Sequence, residues 1–126
     1  MALQLFNYFR SSASYRVRIA LALKGLDYDY MPVQLARNEH FKESYAALSP
    51  ARLVPLLKDD ERIVTQSLAI IEYLDELHPQ PPLLPGTALE RARIRALVLV
   101  VACEIHPLNN LRVLRYLVHD LKGSED

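Results

Sequence analysis

Cysteine occurs once, at Cys103, in a chain of 126 residues. A single thiol excludes an intramolecular disulfide and a four-cysteine zinc site. It leaves no Cys-x-x-Cys pair for thiol–disulfide exchange, and it fits a reducing compartment. Net charge is absent as well: fifteen Lys and Arg balance fifteen Asp and Glu. Residues 1–82 carry nine basic against ten acidic side chains, and residues 83–126 carry six against five. Neither part offers the polybasic surface of a nucleic-acid binder. Among His40, His78, His106 and His119 no pair has metal-ligand spacing, so no metal is expected. Long apolar runs are missing too: the longest, Ala96 to Cys103, is far short of the ~20 residues a membrane span needs. The start, Met1-Ala2-Leu3-Gln4-Leu5, lacks the features of a signal peptide. Repeats and low-complexity segments are not seen. A soluble, cytoplasmic protein without nucleic-acid or membrane partners is expected.

Hydrophobic residues make up 51% of the chain and charged ones 24%, enough for a globular core. Leu3 to Phe6 reads as a strand. Ser12 to Lys24 reads as a helix stopped by Gly25. Val17, Ala20, Leu21 and Lys24 share one side of it; Ile19 and Leu23 make the opposite side apolar, so the helix is expected to be sandwiched. Tyr28 to Val33 reads as a second strand and His40 to Leu48 as a short helix. Leu53 to Lys58 and Arg62 to Thr65 read as a hairpin around a solvated acidic turn, Asp59-Asp60-Glu61. A helix from Ser67 places Ile70, Ile71, Leu74 and Leu77 on one face.

Five prolines or glycines in residues 79–86 make a stiff connector and the best domain boundary. A long helical stretch, Leu89 to about Leu121, follows. Ile94, Leu97, Val98, Val101, Ile105 and Leu108 form a stripe, which Leu111, Leu114 and Leu117 extend. Pro107 is expected to kink or open it. One helix cannot bury this stripe on itself. The expected domains are 1–82 and 83–126. Up to residue 78 the order is βαβ and then ββα, with an intervening helix, the plan of a thioredoxin-like α/β domain.

Four places offer chemistry. In a parallel α/β arrangement ligands gather at the carboxyl ends of strands. The turn from Phe9 to Ser14 lies there and opens a helix, whose N-terminus attracts anions. It could hold an anion or a thiolate, and Ser11 or Ser12 could equally be a plain cap. Val54-Pro55 breaks an apolar strand, as at an edge where an extended peptide pairs. Gln66-Ser67 opens a second helix after a strand, again as a carboxylate site or a plain cap. His106, Asn109 and Asn110, at i, i+3 and i+4, share a helix face beside the stripe, facing either a wet cleft or solvent. His40 and His78 read as surface residues.

Tyr8-Phe9-Arg10-Ser11-Ser12-Ala13-Ser14-Tyr15-Arg16-Val17-Arg18-Ile19-Ala20-Leu21-Ala22-Leu23-Lys24-Gly25 resembles the opening of zeta-class glutathione transferases. Val54-Pro55, Gln66-Ser67-Leu68-Ala69-Ile70-Ile71-Glu72-Tyr73-Leu74 and His106-Pro107-Leu108-Asn109-Asn110-Leu111 follow in that family's order. The resemblance implies a thioredoxin-like glutathione-binding domain and then an all-helical domain. Ser11 with Ser12 would stabilise the glutathione thiolate at the start of the first helix, beside Ala13. Val54, before a cis Pro55, would pair with the tripeptide backbone. Gln66 and Ser67 would hold the γ-glutamyl end, and His40 would lie near the glycyl end. His106, Asn109 and Asn110 would line the glutathione and substrate side. Arg10 and Arg112 are candidate clamps for a substrate with a carboxylate at each end.

The implied activity is glutathione-dependent cis–trans isomerisation of a maleyl keto acid, by reversible thiolate addition. General conjugation or dehalogenation with glutathione, and a glutathione-binding module without turnover, are the rival readings. Two departures stand out. The family has cysteine where this chain has Ala13. Its helical domain also has further helices, so the chain reads as truncated at Asp126. A homodimer is implied for the longer protein.

Overall fold

The computed structural model describes residues 2–122. The last four residues of the expected second domain lie outside the described residues. The chain divides into two units, Met1–Leu83 and Leu84–Asp126.

In the first unit β1 (Leu3–Asn7) buries Leu3, Leu5 and Asn7 on one face, as the two-residue period of a strand requires. A turn closed by Ser11 N–H on the Tyr8 carbonyl (3.0 Å) leads into α1 (Ser12–Lys24). Gly25, at φ 64°, ends it in the left-handed conformation that glycine adopts without a Cβ clash. Val17, Ala20, Leu21 and Lys24 are buried, as their spacing predicts. The expected sandwich is not observed: Ile19 and Leu23 are 42% and 60% exposed, because the sheet and a later helix cover a single side of α1.

β2 (Asp29–Pro32) is a little shorter than expected. The helix expected over 40–48 is broken: 3₁₀ turns at Leu35–Arg37 and Glu39–Phe41 precede α2 (Glu43–Leu48). Asn38, at φ 58°, separates the turns, and Lys42 is extended, so no helix runs through. β3 (Leu56–Asp59) starts three residues after Leu53, because Pro55 has no N–H for the ladder. β4 (Arg62–Thr65) completes the hairpin.

The strand order is β2-β1-β3-β4. β1 and β2 are parallel, with Leu5 opposite Tyr30; β1 and β3 are antiparallel, with Leu5 opposite Leu57; β3 and β4 are antiparallel. α3 (Ser67–Leu77) joins α1 over the Leu3, Leu5 and Leu57 face, burying Ile70 and Leu74, while Leu77 is exposed. α2 belongs to the other face, where the rings of Tyr45 and Phe6 lie 6.1 Å apart. Asp59 corrects the reading of a solvated acidic turn. It is buried, and the Tyr73 hydroxyl of α3 donates to its carboxylate at 2.6 Å. That bond holds the Tyr73 phenol above its usual pKa.

In the second unit α4 (Ala88–Leu99) begins at a capping box. Glu90 N–H donates to Thr87 Oγ1 (3.4 Å), and Thr87 N–H donates to Glu90 Oε2 (2.7 Å). The Thr87 N–H also holds the Glu90 carboxyl below its usual pKa. The long helix expected from Leu89 to Leu121 is not continuous. α4 widens into a π turn at Val100–Ile105, passes through a 3₁₀ turn at His106–Leu108, and stops before α5 (Leu111–Arg115). A second π turn, Tyr116–Asp120, follows. Pro107 supplies the cause: its ring clashes with the carbonyl four residues earlier, and His106 N–H reaches five residues back to Val101. The stripe residues from Leu97 to Leu117 are exposed.

By length and composition, Ala88–Asp120 is apolar enough to cross a membrane, although its longest unbroken apolar run is short. Core helices of soluble proteins share that property. The break at His106–Asn110 and the polar side chains there suit a bilayer poorly, since a lipid-exposed backbone must satisfy its hydrogen bonds internally.

Candidate functional site

The turn after β1 is built around Ser11. As N-cap it is extended (φ −77°, ψ 119°), and its Oγ accepts the Ser14 N–H at 3.1 Å. Its carbonyl accepts Tyr15 N–H at 2.9 Å, the first bond of α1. The cap therefore uses the lone pairs of the hydroxyl and leaves its proton to donate elsewhere. The plain-cap reading and the thiolate reading are thus compatible in one side chain. Ala13 is half-buried in the first helical turn, where an amide has no carbonyl within the helix to reach. Ser12 and Arg10 are exposed. Ser14, which the sequence reading passed over, is buried beneath the turn; Tyr8 N–H approaches its Oγ at 3.5 Å.

Val54 lies outside the ladder, and its bond to Pro55 is cis, as the resemblance implied. The carbonyl before it is held twice. Tyr45 Oη donates to the Leu53 carbonyl at 2.5 Å and Ser49 Oγ at 3.3 Å. Burial pushes the Tyr45 phenol up to about 12. His40 is buried, against the surface reading: the turn Glu39–Phe41 folds it inward, its ring 4.0 Å from that of Phe41. The Arg52 guanidinium caps the other aromatic of this cluster, 5.7 Å from the Phe41 ring centre.

At the start of α3, Gln66 has φ 71°, a left-handed value that few side chains adopt and that often marks a functional turn. Ser67 is buried, and Arg16 Nη1 donates to its Oγ at 3.2 Å. Arg16 sits about 6 Å along α1 from Ser12. Its bond therefore ties the start of α3 to the start of α1, bringing the Ser11 and Ser67 turns to one end of the sheet.

The four candidates of the second unit are placed differently from expectation. His106, Asn109 and Asn110 do not share a helix face, since the helix ends among them. Asn110 is extended (φ −94°, ψ 161°) and its Oδ1 accepts Val113 N–H at 3.2 Å, so it caps α5. His106 is half-buried; Asn109 and Arg112 are exposed. Among the described residues no cluster of His, Cys, Asp or Glu could hold a metal ion.

Residues 5–82 match the family description "Glutathione S-transferase, N-terminal domain". This chain belongs to the glutathione S-transferase family. Its first unit is the family's thioredoxin-like domain, and a helical segment follows. The chain is 53% identical over 118 residues to the maleylacetoacetate isomerase of Pseudomonas aeruginosa, covering 91% of this chain and 56% of that one. It superposes on a holo maleylpyruvate isomerase, a bacterial zeta-class transferase, with a TM-score of 0.94 and 48% identity, covering 97% of this chain and 57% of the other. A maleylacetoacetate isomerase of Methylobacterium extorquens AM1, solved with malonate and glutathione bound, gives a TM-score of 0.92 and 40% identity, covering 96% and 57%. This chain spans little more than half the length of the curated relatives it matches.

Proposed function

We propose that this chain carries the glutathione-binding part of an isomerase that converts a maleyl keto acid to its fumaryl isomer. The observation that carries the reading is the Ser11 turn. Its hydroxyl oxygen is committed to the helix cap, its proton is not, and it stands at the positive end of α1. The resident residues fit glutathione along its length. Ser11, with Ser12 and the Ala13 amide, suits the sulfur. Val54, outside the ladder, suits the peptide backbone. Gln66 and Ser67, at the start of α3, suit the γ-glutamyl carboxylate, and His40 the glycyl end. His106, Asn109 and Asn110 keep their glutathione and substrate roles by resemblance alone, and Arg10 and Arg112 remain candidate carboxylate clamps.

When bound, glutathione supplies a sulfur nucleophile that adds reversibly to a conjugated double bond, allowing rotation before the sulfur departs. Ser11 lowers the cost of the sulfur's negative charge by donating a hydrogen bond, and α1 adds its terminal dipole. Arg10 orients a substrate carboxylate. The names of the isomerases above support this choice of reaction, and the malonate bound in one of them supports a dicarboxylate. The protein is proposed to be a cytoplasmic homodimer.

Glutathione titrated into the chain by calorimetry tests the binding half of the proposal; binding is expected. Isomerisation of maleylacetone with sub-stoichiometric glutathione tests the reaction. Absence of binding, or turnover of chlorodinitrobenzene and haloacids with no isomerisation, overturns the reading.

A further inference from the structure

Arg18 lies one and a half turns into α1, on the side facing the turn that precedes Ser11. Its guanidinium makes one bond to the end of β1 and two into that turn. Nη1 donates to Asn7 Oδ1 at 2.6 Å and to the Tyr8 carbonyl at 3.4 Å, and Nη2 donates to the Phe9 carbonyl at 3.2 Å. Asn7 is fully buried, and its Nδ2 donates to the Leu5 carbonyl at 3.0 Å, so the oxygen offered to Arg18 is fixed by the strand. Tyr15 flanks the guanidinium, its ring centre 5.3 Å from Cζ. Arg18 is thus anchored on β1 and α1 and reaches across to both carbonyls of the turn.

The orientation of those carbonyls matters to Ser11. The Tyr8 carbonyl accepts from Arg18 and also from Ser11 N–H at 3.0 Å. In a trans peptide the C=O and N–H point opposite ways. Turning the Tyr8 and Phe9 oxygens toward Arg18 therefore turns the Phe9 and Arg10 amides away from it. A planar fork presents its N–H donors to the two carbonyls at fixed angles, whereas the three donors of an ammonium rotate about one point charge. We infer that Arg18 is a positioning residue for the Ser11 turn: it fixes the peptides before Ser11 so that the serine hydroxyl meets the glutathione sulfur, without touching glutathione itself. This rests on the glutathione reading given above.

Two substitutions and three readouts test it in the 126-residue chain. In the ligand-free protein, hydrogen exchange at the Ser11 amide is expected to quicken about tenfold in Arg18→Gln, while the Leu21 amide, deep in α1, is unchanged. In the complex, the pH dependence of thiolate absorbance gives the pKa of the bound thiol. It is expected to rise by about one unit in Arg18→Gln, a tenfold loss of thiolate over thiol at neutral pH. Affinity for S-methylglutathione, which has no ionisable thiol, is expected to stay within about threefold, because Arg18 makes no ligand contact. Arg18→Lys keeps the charge and loses the fork, so a rise in the same direction is expected; it is the variant to read if Arg18→Gln does not fold. An unchanged thiol pKa in a folded variant overturns the inference, as does a matching loss of S-methylglutathione affinity. If wild type binds no glutathione, the functional reading fails. The exchange rate at Ser11 then decides the positioning claim, and an unchanged rate overturns it.

Discussion

Exchanging Lys24 for methionine removes a charge from beneath the end of α1 while keeping the length of its apolar stem. The Lys24 side chain is fully buried. Its ammonium donates to the His78 carbonyl at 2.6 Å, to the Pro81 carbonyl at 2.5 Å and to the Asp75 carboxylate. Asp75, whose side chain is 15% exposed, also accepts the Leu83 N–H at 2.9 Å. One lysine therefore ties α1 to the end of α3 and to the proline-rich segment after it. Methionine matches the volume, so the packing penalty is small, below ~1.5 kcal/mol. The main loss is electrostatic. Removing one partner of a buried ion pair costs ~3–5 kcal/mol, because the other is left without compensation. Asp75 keeps some water and one N–H, which places the loss near ~3 kcal/mol on that scale. Domains of this size are stable by ~5–15 kcal/mol, so the change is a large part of the total. With an m-value of ~1–1.5 kcal/mol/M, the urea midpoint should fall by ~2–3 M. Urea titration followed by circular dichroism reads it. Lys24→Met combined with Asp75→Asn should recover ~1–2 kcal/mol, since neutral Asn still accepts the Leu83 N–H. A single variant within ~0.5 kcal/mol of wild type, or strict additivity in the pair, refutes the clamp.

Ser11→Ala should raise the pKa of bound glutathione and slow isomerisation by about 10²-fold, the usual loss for one preorganised donor; the opposite pattern, with Tyr8→Phe raising that pKa and Ser11→Ala leaving it alone, would move the role to Tyr8. Ala13→Cys should leave the isomerisation rate within a few-fold, because the nucleophile belongs to glutathione; a gain of about 100-fold, roughly 2.7 kcal/mol in barrier, would give the protein thiol a part. Tyr45, lifted to about 12 by burial, stabilises the fold while it is neutral. That contribution is complete below the unfolded value near 10 and fades as pH rises through about 12, so stability should fall between those limits in wild type and be flatter in Tyr45→Phe. Equal slopes for the two proteins in urea titrations across that range would refute it.

The first unit was readable because its punctuation is local. Ser11 and Gly25 bracket α1, and the acidic pair after Asp59 turns the hairpin. The candidate turns at Ser11, Val54 and Gln66 were legible for the same reason, each being a strand end beside a helix start or a proline. What escaped was long-range. Lys24 shares the spacing of a buried face, but its acceptors lie 51 to 57 residues on. The partner of Asp59 is 14 residues away in α3, so nothing nearby announces its burial. Arg16 and Arg18 look like solvated helix formers until Ser67 meets the first and the Tyr8–Phe9 turn folds back on the second. The Thr87-x-x-Glu90 box was legible and missed. Pro107 announced a kink, but a widened turn and a complete stop depend on how the backbone relaxes around the ring.

The double duty proposed for the Ser11 hydroxyl has a practical consequence for anyone recoding this turn. Alanine scanning there mixes two losses, since removing a serine cap alone costs ~1 kcal/mol of helix stability. Aspartate separates them. It caps a helix about as well as serine and suits the positive end of α1, yet its carboxylate has no proton to give and repels an anionic sulfur. Ser11→Asp should therefore yield a chain that folds as firmly as the parent and cannot hold a thiolate. That makes it the cleaner inactive reference: its silence reports chemistry, where that of alanine also reports a loosened helix.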